Sequence, residues 1–103
     1  MAAECTVTFV REAQHEAVLL SGIIDIQAES SFEAVMSRVS GSAVVFDFSN
    51  VSRINSMGIA LILRCFKRLG SERKCAVQVR GLSQINSMLF KMSGLFMLAQ
   101  EVR

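Results

Sequence analysis

The sequence predicts an α/β fold: a mixed sheet of about five strands carrying three main helices. Three observations lead there. Apolar and polar residues alternate at 5–11 and at 75–80, the period of a half-buried strand. In three other stretches apolar residues recur at i, i+3, i+4 and i+7, the period of a helix with one buried face. Strand and helix stretches take turns along the chain, and a helix between two strands is the connection that parallel pairing requires.

The elements follow in order. Cys5, Val7 and Phe9 share one side of the first strand, with Thr6 and Thr8 on the other. A polar turn over 11–16 leads to a second strand over 17–26, more continuously apolar and so more central. The short connection makes this pair antiparallel. Ser30 and Glu33 are spaced as a capping box for a first helix. Its inner face is Phe32, Val35, Met36 and Val39, and Gly41 is placed to end it as the C′ glycine. Residues 43–48 form a buried central strand, and a polar loop follows over 49–55. Ser56 opens a second helix that runs to about Leu69 and stops at Gly70. Ile59, Ile62, Leu63, Phe66 and Leu69 face inward; Met57, Leu61, Arg64 and Arg68 share the other face. Met57 either offers an apolar contact beside Ser56 or packs under the preceding loop. Arg64, Lys67 and Arg68 approach the C-terminal end, where cations suit the helix dipole.

In the next strand Cys75, Val77 and Val79 point inward. Ser83 caps a third helix with Ile85, Met88, Leu89 and Met92 inward, and Ser93-Gly94 ends it. Residues 96–102 supply a short final strand. The tetrapeptide Ile-Asn-Ser-Met stands at 54–57 and again at 85–88. One copy falls at a helix start and the other inside a helix, so it is a coincidence and not a repeat.

Composition narrows the function. The 103 residues suit a single domain, taken as 1–103. A chain of that length buries roughly two-thirds of its unfolded surface. A hydrophobic content of 51% argues against disorder. A net charge of +2, with scattered basic residues and no binding motif, argues against nucleic acid. Glu4 interrupts any leading apolar segment, and no apolar run approaches the ~20 residues of a membrane span. Cys5, Cys65 and Cys75 are odd in number and form no CxxC pair, which suggests reduced thiols in the cytoplasm. All three take core positions.

His15 falls in the first turn without a sequence neighbour to make a triad or a metal site. No metal or permanent cofactor is expected. Asp25 and Asp47 each end a strand and could converge near Ser56. With neither GxxxxGK[ST] nor GxGxxG present, turnover of ATP by this chain is not expected. An enzyme using Cys65 is the remotest reading.

Ser56 concentrates the functional signal. It stands where a strand and loop give way to a helix, three residues after Arg53. A hydroxyl at a positive helix end beside a cation suits a phosphate. The alternative is an ordinary N-cap serine.

The run Asp47-x-Ser49-x-Val51-x-x-Ile54-Asn55-Ser56-Met57-Gly58-Ile59-Ala60 resembles the signature loop of the STAS domain, the fold of bacterial anti-sigma factor antagonists. That family has Asp-Ser-[Ser/Thr]-Gly-Leu-Gly here and is phosphorylated on the serine after the Asp. Ser21-Gly22-Ile23-Ile24-Asp25 is similar to its Gly-Glu-Leu-Asp near the second strand. Leu89-Phe90-Lys91-Met92-Ser93-Gly94-Leu95-Phe96 is similar to the end of its last long helix. Asn55 replaces the usual Asp and Met57 the usual Ser or Thr.

The resemblance implies a protein-binding module, not an enzyme, with Ser56 as phosphoacceptor. Unmodified, it would bind an anti-sigma factor that is also a serine kinase and so free a sigma factor; a serine phosphatase would reset it. It further implies that Asp25 borders the loop and helps recognise the kinase or its nucleotide. The partner contact is expected at Asp25, Arg53, Asn55, Met57, Gly58, Leu61 and Arg64, on a monomer or weak dimer. The alternative is a STAS subunit of an ABC-type phospholipid transporter, or another module that works without phosphate.

Overall fold

The structure is a computed structural model that describes residues 4–102. Five strands form one sheet in the order β1-β2-β3-β4-β5. β1 (Thr6–Arg11) and β2 (Glu16–Ile24) form the expected antiparallel hairpin. From β2 onward all pairing is parallel, through β3 (Ala43–Ile54), β4 (Ala76–Arg80) and β5 (Gln100–Glu101). The helices α1 (Glu29–Arg38), α2 (Ser56–Glu72) and α3 (Gln84–Ser93) make the three crossovers. This is the predicted mixed α/β architecture.

One core lies between the helices and one face of the sheet. Val18, Leu20 and Ile24 of β2 meet Val44, Phe46 and Phe48 of β3, Phe32 and Val35 of α1, Ile62 and Phe66 of α2, and Phe90 of α3. Aromatic pairs tie its layers: Phe46–Phe66, tilted, with ring centroids at 4.9 Å, and Phe48–Phe90, edge to face, at 5.2 Å. The opposite sheet face is more polar. There the Arg80 guanidinium bonds Asp47 on β3 through Nε at 2.8 Å. Its terminal nitrogens reach Glu12, in the β1–β2 turn, at 2.9 and 3.0 Å. His15 joins the same Glu12 carboxylate at 2.9 Å. His15 is therefore part of an ionic cluster and not a solitary turn residue.

Several element boundaries correct the expectations. β3 does not end at Phe48; it continues to Ile54 where a loop was expected. Pairing with β2 shifts register between Leu19 and Ser21 and again between Gly22 and Ile23, and Gly22 takes a positive φ of 87°. These irregularities allow Phe48, Val51 and Ile54, three apart, all to be buried.

α1 starts at Glu29 without a side-chain cap, so Ser30 is not its cap. Asp25 instead caps a 3₁₀ turn, Ile26–Ala28, that runs straight into α1. Gly41 is no C′ glycine: the C-cap is Val39, and the Gly41 N–H donates to Glu16 Oε1 at 2.7 Å. Gly70 does not stop α2, which runs on to Glu72; the reversal comes at Lys74, with φ 55°. The final strand is only Gln100–Glu101, because Leu95–Met97 coils into a 3₁₀ turn.

Ser83 caps α3 as expected, and Gly94 ends it in the left-handed region. The inner face of α3 is not the expected one, however. Asn86 and Phe90 are buried, Leu89 is half-buried, and Ile85, Met88 and Met92 face outward.

Candidate functional site

The β3–α2 junction is built by three adjacent residues with three different jobs. Asn55 keeps an extended backbone, φ −95° and ψ −178°, and its side chain accepts from the Gly58 N–H at 2.9 Å. The N-cap is therefore Asn55, and Ser56 is the first helical residue. Ser56 is exposed, and its hydroxyl has no hydrogen-bond partner among the described residues. The reading of Ser56 as an ordinary cap is corrected: the neighbouring amide already holds the N–H a serine cap would take.

Gly58 lets the helix start this close to the sheet. A Cβ there would collide with the Ile24 carbonyl oxygen and lie 3.0 Å from Ile24 Cγ2. The same carbonyl accepts from the Asn55 N–H at 3.2 Å. Ile24 thus anchors the start of α2 on β2, beside its register partner Ile54. Asp25 follows at once, so the structure brings it to the flank of the junction. Its carboxylate accepts from the Gln27 N–H at 3.0 Å.

Asp47 does not converge there. It lies in the first half of β3, opposite Arg80, on the polar sheet face. Burial raises its pKa, but hydrogen bonds from Arg80 and Ser49 outweigh this and hold the carboxyl below its ordinary value. Hydrogen bonds from Arg80 and His15 lower Glu12 as well, and its two carboxylate partners raise Arg80.

The remaining candidate residues divide. Met57 is 48% exposed, so of its two readings the outward one holds. Arg53 is also exposed. Arg64 is exposed and stands 3.6 Å from Glu29 of α1. Leu61 is a correction: expected on the outer face, it is 3% exposed and part of the core. Gly58 is buried too, and serves the junction through its missing side chain. Between α2 and the end of α3 runs a groove of about 320 Å³, lined by Ile54, Asn55, Ser56, Ile59, Leu89, Met92 and Ser93. Sequence reasoning missed this groove because it turned Met92 inward.

The electrostatics favour an anion at Ser56. α2 has no acidic residue in its first turn, and the N–H groups of Ser56 and Met57 precede the one Asn55 caps. Thiol chemistry is disfavoured: burial pushes Cys65 up to about 12 and raises Cys5 and Cys75. Among the described residues no group of three or more His, Cys, Asp or Glu side chains could hold a metal ion. No helix there is long and apolar enough to cross a membrane.

Comparison with known proteins agrees with this geometry. The family profile described as "STAS domain" matches residues 11–101. No curated protein matches the chain. Among solved structures, an anti-sigma factor antagonist from Mycobacterium paratuberculosis superposes with a TM-score of 0.73 at 24% identity, covering 98% of this chain and 89% of that one. The anti-sigma factor antagonist SpoIIAA in its unphosphorylated form gives 0.72 at 16% identity, covering 95% and 89%. The Bacillus cell fate determinant SpoIIAA in its phosphorylated form gives 0.66 at 16% identity, covering 95% and 92%. At these identities the structural likeness establishes the fold, and the profile match establishes the family. The chain belongs to the STAS domain family.

Proposed function

We propose that this chain is an anti-sigma factor antagonist switched by phosphate on Ser56. Unmodified, it binds an anti-sigma factor that is also its serine kinase, and a sigma factor is released. Phosphorylation ends that binding and a serine phosphatase restores it. The chain acts as one cytoplasmic STAS unit, monomeric or weakly dimeric, without cofactor or catalytic turnover of its own. The observation that carries this reading is the exposed, unbonded Ser56 hydroxyl on the first residue of α2. A solved relative also exists in both phosphorylated and unphosphorylated forms. The proposed contact comprises Asp25, Arg53, Asn55, Met57 and Arg64 around Ser56.

Energetics decide which effect of the phosphate dominates. It adds about 1.5 to 2 negative charges at neutral pH. At the start of α2 such a charge is favoured by roughly 0.3–1 kcal/mol, so the fold is kept. In a closed interface the same charge must be desolvated at a cost on the order of several kcal/mol. Each ~1.4 kcal/mol is tenfold in affinity, so binding falls by about a hundredfold or more. The experiment is phosphopeptide mapping with the cognate kinase, alongside partner binding. Ser56→Ala should bind and stay bound under kinase and ATP; Ser56→Asp should fold and bind poorly. Phosphate on Ser49 or Ser52 with Ser56 unmodified refutes the assignment. Stable copurification with a transporter ATPase, indifferent to phosphate, would favour the transporter-subunit reading.

A further inference from the structure

We propose that the outer face of α3, with the groove joining it to Ser56, docks an amphipathic helix of a partner protein, apolar on one side and rich in carboxylates on the other. The four most exposed large apolar side chains among the described residues are Ile85, Met88, Met92 and Met97, between 57% and 89% exposed. The first three stand at i, i+3 and i+7 on α3, forming one stripe along it. This stripe is not spare core, since Asn86 and Phe90 already fill the inward positions. It is also not isolated: Met92 lines the groove with Leu89, Ile59 and Ser56. Stripes at this spacing receive the matching stripe of a second helix. Methionine, unbranched and polarizable, adapts to such a partner.

Charge identifies the helix. α3 has no carboxylate, and Lys91 is exposed on it between Met88 and Met92 in sequence. Across the groove, α2 presents exposed Lys67, while Arg64 turns to Glu29 of α1, and no Asp or Glu stands between Phe48 and Ser71. A helix laid on the apolar stripe therefore meets Lys91 and Lys67, set against the carboxylate of Glu101, which shares a recess with Met88 and Lys91. Carboxylates on that helix complement the two lysines, and lysines on it would be repelled. The surface deepens the Ser56 reading, on which its biological use rests, but the stripe and its basic rim stand without any phosphate.

The test uses the unphosphorylated full chain and two fluorescein-labelled helical peptides. Both carry the same leucine stripe; one has glutamates on its polar side and the other lysines. Fluorescence anisotropy should show the glutamate peptide binding at least about tenfold tighter. Met88→Ser with Met92→Ser should weaken it by about tenfold or more with an unchanged circular dichroism melt, and Lys91→Glu should reduce the preference. Equal binding of both peptides, no binding of the glutamate peptide, or no effect of the double substitution overturns the proposal. So does binding of phosphatidylglycerol vesicles in place of the peptide, or a concentration-dependent dimer that the double substitution abolishes. Probe binding is read on unphosphorylated protein without kinase, and the switch is read separately by phosphopeptide mapping, so a failed groove and a failed switch give different results.

Discussion

Gly58 and Gly70 stand in the same helix, and substitution by alanine should move stability in opposite directions. At Gly58 the added methyl meets the Ile24 backbone carbonyl, which cannot step aside without disturbing β2. Gly58→Ala should cost at least the ~1–3 kcal/mol typical of overpacking. At Gly70 nothing lies within 4 Å, and the position is exposed inside α2. Gly70→Ala should stabilise by about 0.5–1 kcal/mol, the helix cost of glycine. Urea denaturation of both variants checks this pair; a stabilised Gly58→Ala would mean that α2 does not sit against Ile24. Asn55 gives a second residue-scale prediction. Asn55→Ala should cost about 0.5–2 kcal/mol through the lost cap. Asn55→Asp keeps the cap and places a negative charge next to Ser56. Phosphate there would then face a like charge, so the phosphorylated Asn55→Asp variant should melt below phosphorylated wild type, read by calorimetry on both forms. Asn55 as cap was hidden in the sequence because Ser56 is equally good cap chemistry; only the backbone of Asn55 separates them.

Elements were legible where one period ran unbroken and illegible where two signals competed. β1, β2, β4 and the cap of α3 follow their apolar alternation and the Ser83 oxygen. The end of β3 was lost because the buried residues of Ser49–Ile54 come three apart, which is neither a strand nor a helix period until the register shifts with β2 are known. α3 was turned because Ile85, Met88 and Met92 form a better apolar stripe than the one that is buried. Asn86, buried with Nδ2 unpartnered, disguises the inward face. The polar sheet face was invisible because Glu12, Asp47 and Arg80 are distant in sequence. Arg80 joins β4 to β3 and to the β1–β2 turn, and its effect depends on pH. Glu12 and Asp47 have folded pKa values below their unfolded ones. Their stabilisation is complete above the unfolded values of about 4 to 4.5 and is lost as pH falls through the lower folded ones. The melting temperature should therefore drop below about pH 4. Arg80→Met should melt lower than wild type at neutral pH and lose less on acidification. Equal acid sensitivity in both proteins would show that the cluster does not set it.

The molecule as a whole is electrically lopsided in a way its net charge of +2 conceals. Apart from Glu72 and Glu101, every acidic side chain precedes Phe48; apart from Arg11 and Arg38, every Lys and Arg follows it. The chain order of the sheet turns this sequence asymmetry into a spatial one: β1, β2 and α1 form the acidic side, and α2, β4 and α3 the basic one. The apolar stripe opens on the basic side and the Ser56 junction lies at the border, beside Asp25, so charge and apolar contact should govern different rates of partner association. Long-range attraction acts before contact and is screened beyond roughly 8 Å at physiological salt. Raising salt, or Lys67→Glu and Lys91→Glu together, should lower the association rate by about tenfold with little change in dissociation. The apolar stripe acts only after contact, so Met88→Ser with Met92→Ser should speed dissociation and leave association nearly unchanged. Surface plasmon resonance with the proposed partner, an anti-sigma factor, across a salt series separates the two. If the methionine variant slows association instead, the stripe acts before docking and this division between basic rim and apolar groove is wrong.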